Sequence, residues 1–145
     1  MKTKKNVGIT RGKADEIIAW LRERALIVNA DPQFLYGVAR LIVFGSYLTD
    51  KVKLGDLDIA IELGPKCKRV HLHEELLCME QERSAPVHIQ RDLVARVFWP
   101  RWKVMRALRG RNYAISFHEY DEFKLLRKEG IASGKLLYRN KQFDR

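Results

Sequence analysis

Two short apolar runs separated by a turn and a linker constrain this chain more than anything else in it. Val38–Phe44 is apolar except for Arg40 and rich in β-branched residues, which predicts a strand buried on both faces. Leu57–Leu63 alternates Leu57, Ile59, Ile61 and Leu63 with Asp58, Ala60 and Glu62, which predicts a second strand, and Gly64-Pro65 is expected to end it. Side chains two apart on a strand share a face, so Asp56 and Asp58 are expected to project together while Leu57, Ile59 and Ile61 enter the core.

Helices fill the rest of the pattern. Ile17, Trp20, Leu21, Ala25 and Val28 recur at three- and four-residue steps, predicting a helix over 14–28 with one buried stripe, closed by a break or cap at Asp31-Pro32. Leu72, Leu76 and Met79 predict a helix over 71–83, and a further helix is expected over 90–109, kinked or split at Pro100. A third strand is expected over 113–118, a helix over 121–128 and an edge strand over 135–138. Interleaved strands and helices give an α/β or α+β fold, with a small mixed sheet flanked by helices. A chain of 145 residues fits a single domain, 1–145, with a basic flexible tail at about residues 1–12.

Composition narrows the setting. The 46% hydrophobic content is enough to offset the entropy of ordering, which excludes a disordered chain. No apolar run reaches a bilayer's span and Met1–Lys5 leads into no apolar signal core, so no membrane partner is expected and the location is expected to be cytoplasmic. Cys67 and Cys78 accordingly read as cytosolic thiols. The formal charge of +10 attracts polyanions without choosing among them.

The chemistry concentrates in Leu41–Leu63. A carboxylate pair at the head of an apolar strand awaits a neutralising cation, and oxygen donors on a rigid strand suit Mg²⁺, or Mn²⁺, with substrate phosphates as remaining ligands. Gly45-Ser46, at the end of the first strand, offers close backbone approach, free amides and a hydroxyl to a polyanion at a strand-to-helix turn, and Lys51 and Lys53 add charge from the linker. A triphosphate on one side and metal-binding carboxylates on the other is what phosphoryl or nucleotidyl transfer needs.

An apolar strand, Gly45-Ser46, nine intervening residues and Asp56-Leu57-Asp58-Ile59-Ala60-Ile61 together resemble the minimal nucleotidyltransferases of the DNA polymerase beta superfamily, the antitoxin-like small members among them. The resemblance implies a polymerase beta palm-like fold. It also implies transfer of a nucleoside monophosphate from a nucleoside triphosphate to a hydroxyl, on an RNA such as tRNA or on a protein such as a helical toxin partner. Asp56 and Asp58 would hold the metal, and Gly45 and Ser46 the β- and γ-phosphates. The family's third carboxylate falls at Ser116 here. Among possible substitutes, Glu62 lies ~13 Å beyond Asp58 along the strand, Glu119 and Asp121 lie at or past the end of the third strand, and His118 shares the face of Ser116. We take His118 first, as a base suited to neutral pH. The alternative is a degenerate module of the same fold that binds nucleic acid or a partner without turnover.

Other clusters carry less. Cys67, His71, His73 and Cys78 match no closed zinc-site spacing, and a helix starting near His71 would point the two histidines apart. Arg91, Arg96, Arg101, Lys103, Arg106, Arg109 and Arg111 with Trp99 and Trp102 read equally as a single-stranded nucleic-acid surface and as an amphipathic helix with solvated arginines. Lys2, Lys4, Lys5, Arg11 and Lys13 read as a solvated arm.

Overall fold

The structure, a computed structural model, describes residues 8–66, 83 and 85–143. The expected helix over 71–83, apart from Arg83, and the Cys67, His71, His73 and Cys78 cluster lie outside the described residues, as do Lys2, Lys4 and Lys5. Among the described residues the chain runs β1 (Ile9–Thr10), α1 (Arg11–Ala30), β2 (Tyr36–Phe44), a 3-10 turn (Gly45–Leu48), β3 (Lys53–Leu54) and β4 (Leu57–Pro65). It continues through α2 (Val87–Gln90), α3 (Leu93–Arg109), β5 (Ile115–Glu119), α4 (Tyr120–Lys128), β6 (Gly134–Arg139) and a closing 3-10 turn (Lys141–Phe143). The protein is a mixed α+β fold, and no described helix is long and apolar enough to cross a membrane.

Four strands form one mixed sheet in the order β5-β4-β2-β6, with β4 antiparallel to β2, β2 antiparallel to β6, and β4 parallel to β5. β1 and β3 form a separate antiparallel pair, Ile9 opposite Leu54 and Thr10 opposite Lys53. Residues 9–12, assigned from sequence to the basic tail, therefore belong to β1 and the first turn of α1. Thr10 caps that helix, its Oγ1 accepting from the Lys13 amide at 3.1 Å and satisfying one orphan donor.

A bulge decides which side chains reach the site. The β2–β4 register shifts between Val38 and Arg40, so Val38 shares the core face with Leu41 and Val43, whereas Arg40, Ile42 and Phe44 turn to the opposite face. On the core face, α1 and the C-terminal half of α3 bury Ile17, Leu21, Ala25, Val28, Val104 and Leu108 against Leu57, Ile59 and Ile61. Each of these side chains larger than that of Ala25 contributes ~1.5–3 kcal/mol through removal from water. On the other face α4 supplies Tyr120 and Phe123, which pack with Ile42, Phe44 and Ala60.

Several expectations need correction. Trp20 is not part of the buried stripe: it is 36% exposed, and its indole N–H donates to the Leu108 carbonyl at 2.8 Å, capping the last turn of α3. Pro100 does not split α3, which is continuous from Leu93 to Arg109, Asp92 capping its start through the amides of Val94 and Ala95. β4 continues through Gly64 to Pro65, which pairs with Tyr36 at the sheet's end. The third strand starts at Ile115 because Tyr113 and Ala114 are in a turn.

Candidate active site

The site is built where β2, β4 and β5 end together. Phe44, the last residue of β2, is the register partner of Asp58, so the turn that follows leaves the sheet beside that carboxylate. Gly45 adopts φ +77°, and a Cβ placed on it would lie 2.5 Å from Asp58 Oδ2. Glycine is thus required twice, for the backbone conformation and for the space that the carboxylate fills. The turn itself is a 3-10 turn of four residues rather than an α-helix, closed where the Thr49 amide and hydroxyl donate to the Ser46 carbonyl at 3.0 and 2.6 Å. Such a turn leaves its first amides without carbonyl partners inside the turn.

Asp58 is also the register partner of Ser116 across the parallel β4–β5 pair, so both side chains lie on one face. His118, two residues on, completes a cluster on that face. Its Nε2 lies 3.1 Å from Asp58 Oδ1 and 3.3 Å from Ser116 Oγ, and its Nδ1 lies 3.4 Å from Glu122 Oε1 on α4. The Phe44 ring meets the imidazole edge-on, with centroids 5.1 Å apart. His118 is thus fixed by four neighbours from β2, β4, β5 and α4.

Asp56 precedes the first residue of β4, is exposed, and has no hydrogen bond or ion pair among the described residues. It lines a cavity of about 580 Å³ with Ser116, Arg109, Gly8 and Phe117 among the other walls. Arg109 donates to the Ile115 carbonyl and lies over the Phe117 ring at 5.0 Å, so its head is held at the cavity wall. Ser116 is the common member: it lines the cavity that Asp56 also lines, and it shares a sheet face with Asp58 and His118.

The other acids weighed for the third position are engaged elsewhere. Glu62 is buried against Arg40 at 2.8 Å, and the Arg40 guanidinium also donates to the Tyr120 hydroxyl at 2.7 Å. Glu119 faces Arg101 at 3.4 Å, and Asp121 faces Lys124 at 3.4 Å. Of the four candidates, His118 is the one that contacts Asp58.

Lys51 and Lys53 are exposed, and neither bonds to Gly45, Ser46, Asp56 or Asp58 among the described residues. The loop that carries Lys51 is organised by Arg11, which the sequence groups with the basic arm. The Arg11 guanidinium donates to the carbonyls of Tyr47, Thr49 and Lys51 at 2.7, 2.6 and 2.8 Å and lies over the Tyr47 ring. Tyr47 in turn donates to Asp15 at 2.5 Å, and that bond raises the phenol above its ordinary range because ionisation would place a second negative charge beside the carboxylate.

The basic helix is more occupied than its sequence implied. Trp99 is 6% exposed and part of an apolar cluster with Ala85, Ile89 and Ala95, whereas Trp102 is 40% exposed and stacked on Phe98 with centroids 6.0 Å apart. Arg101 binds Glu119, Lys103 donates to the Gln33 carbonyl at 3.0 Å, and Arg106 lies over Trp99.

The donor chemistry around Asp56 and Asp58 defines what cation fits. Among the described residues no set of three or more His, Cys, Asp or Glu is arranged to hold a metal ion. A hard ion such as Mg²⁺ or Mn²⁺ ordinarily keeps several waters and takes phosphate oxygens beside one or two carboxylates, so Asp56 and Asp58 are the residues that would hold one. No family model matches the chain, and neither a curated protein nor a solved structure matches it.

Proposed function

We propose that this chain is a Mg²⁺-dependent nucleotidyltransferase that moves a nucleoside monophosphate from a nucleoside triphosphate to a hydroxyl on RNA or protein. The observation that carries the reading is the Asp58 carboxylate seated in the space above Gly45, at the strand ends where Asp56, Ser116 and His118 also gather. Asp56 and Asp58 would hold the cation, which when bound with the triphosphate neutralises phosphate charge and polarises the α-phosphoryl group. The Gly45–Ser46 amides and the Ser46 hydroxyl bind the terminal phosphates, and Lys51 in the neighbouring loop and Lys53 in β3 add positive potential.

His118 takes the proton from the attacking hydroxyl at Nε2, the nitrogen that faces the Asp58 side of the site. Glu122 orients the ring through Nδ1, in the manner of a carboxylate behind a catalytic imidazole. Pyrophosphate is the leaving group. The acceptor approaches from the cavity, whose wall Asp56 and Ser116 share and where Arg109 presents a fixed positive charge.

Two observations favour a second reading. Asp58 Oδ1 is already in contact with His118, and a hydroxyl stands where the resemblance calls for an acid, as in a module that keeps the fold and binds without turnover. Incubation with each α-labelled triphosphate, Mg²⁺ and either total RNA or a cell lysate separates them. Transfer of label, lost in Asp56→Asn and Asp58→Asn, supports the enzyme. Triphosphate binding with no transfer under Mg²⁺ or Mn²⁺ at any pH supports the binding module.

A further inference from the structure

We propose that the Ser116 hydroxyl is itself a nucleotidyl acceptor, so that the chain attaches a nucleoside monophosphate to its own β5; the proposal rests on the nucleotidyltransferase reading. Ser116 is the register partner of Asp58 and lines the same cavity as Asp56, which puts one hydroxyl beside Asp58 on a wall that Asp56 shares. Its Oγ lies 3.3 Å from His118 Nε2, and the opposite ring nitrogen lies 3.4 Å from Glu122 Oε1. A serine hydroxyl next to an imidazole whose far nitrogen faces a carboxylate is the arrangement that turns a weak nucleophile into a reactive one.

The geometry distinguishes this hydroxyl from a structural one. A serine on a strand ordinarily bonds to backbone or water. Ser116 turns instead to a side-chain nitrogen, and it remains half-buried on the wall of a cavity of about 580 Å³. Asp58 Oδ1 stands 3.1 Å from that same nitrogen, so the imidazole serves the carboxylate or the hydroxyl, and its service to the hydroxyl is the reactive arrangement.

In the step, Ser116 Oγ forms a bond to the α-phosphorus and the bond from that phosphorus to the α–β bridging oxygen breaks. Pyrophosphate leaves with the electron pair, and the hydroxyl proton passes to His118 Nε2. The product is a phosphodiester between Ser116 and the nucleoside 5′-monophosphate. No redox partner is involved.

The test uses the full chain with two donors. Each of the four nucleoside triphosphates is supplied with Mg²⁺, and, separately, a nucleoside 5′-phosphorimidazolide is supplied without metal; adducts are read by intact mass and located by fragment ions. The expected result is one added nucleoside monophosphate from a triphosphate, located on Ser116 and absent in Ser116→Ala, whose thermal midpoint shows whether it remains folded. The imidazolide should modify Ser116 at least tenfold faster than any other serine or threonine, a reading of the hydroxyl's reactivity that needs no cation. With total RNA or lysate added, label that reaches RNA or protein while Ser116 stays bare overturns this inference and leaves the nucleotidyltransferase reading standing. No adduct on Ser116 from either donor overturns this inference, and no transfer from any triphosphate to the chain, RNA or lysate overturns both.

Discussion

Gly45 and Asp58 form a lock in which one residue's missing side chain is the other's binding space. With φ at +77° and Asp58 Oδ2 where a Cβ would stand, Gly45→Ala is both strained and obstructed. It should cost about 2 kcal/mol, the upper range of the left-handed penalty for a residue with a Cβ. Gly55→Ala is the control, because nothing lies within 4 Å of its added methyl, and it should stay within ~0.5 kcal/mol. Urea denaturation of both variants checks the pair; equal stabilities would mean that the carboxylate does not occupy that space. Glu62 shows the complementary case. On sequence spacing it was a distant candidate acid, and the structure gives it a different task, neutralising Arg40 beneath α4.

At the level of elements, the two central strands were legible from local composition and pattern: β4 from strict alternation and β2 from an apolar run rich in β-branched residues. A helix expected over 121–128 and an edge strand over 135–138 appear as α4 and β6. The bulge at Val38–Arg40 was not legible, since a shift of register leaves no mark on an apolar run. Nor were the side-chain contacts that assemble the site: Arg11 lies 36 residues from Tyr47 in sequence, and Asp58 lies 60 from His118. Asp56, Asp58 and Gly45 were legible because a Gly-Ser turn and an alternating acid pair depend only on local pattern, whereas Glu122 and Arg109 gain meaning only once α4 and α3 are placed. Arg11→Met should release the loop it clasps, raising amide exchange across residues 48–52 about fivefold, the equivalent of ~1 kcal/mol for partly exposed bonds. Unchanged exchange would show that the loop is held by other means. Lys66 clasps the end of α1 in the same way, donating to the carbonyls of Val28 and Asp31 at 2.6 and 2.7 Å, and burial pushes its pKa below the ordinary 10.5. The unfolded chain therefore binds the extra proton between that lowered value and 10.5, and Lys66 adds a rise of stability with pH in that window. Denaturation midpoints measured across it should rise less with pH in Lys66→Met than in the parent; parallel curves would contradict the burial of the ammonium group.

For the whole molecule, the excess of ten positive charges sets the range of partners, and the internal engagement of Arg101, Lys103 and Arg109 reduces how much of it is free to meet them. An RNA acceptor would still be held mainly by phosphate contacts, so its affinity should fall steeply and log-linearly with salt through counterion release. A flat salt dependence of binding to total RNA would direct attention to a protein acceptor. The sheet brings Gly45, Asp58, Ser116 and His118 to one end of the fold, with Asp56 sharing the cavity of Ser116. That convergence is the physical basis for proposing nucleotidyl transfer, and the fate of the two ends of the triphosphate tests it most directly. The chain is supplied with Mg²⁺, an acceptor mixture and triphosphate labelled either at the α- or at the γ-phosphate. Nucleotidyl transfer at this site predicts that α-label becomes covalently attached to an acceptor while γ-label is released as pyrophosphate, and that Asp58→Asn does neither. Release of γ-label as inorganic phosphate, transfer of γ-label to an acceptor, or undiminished α-label transfer by Asp58→Asn would contradict it.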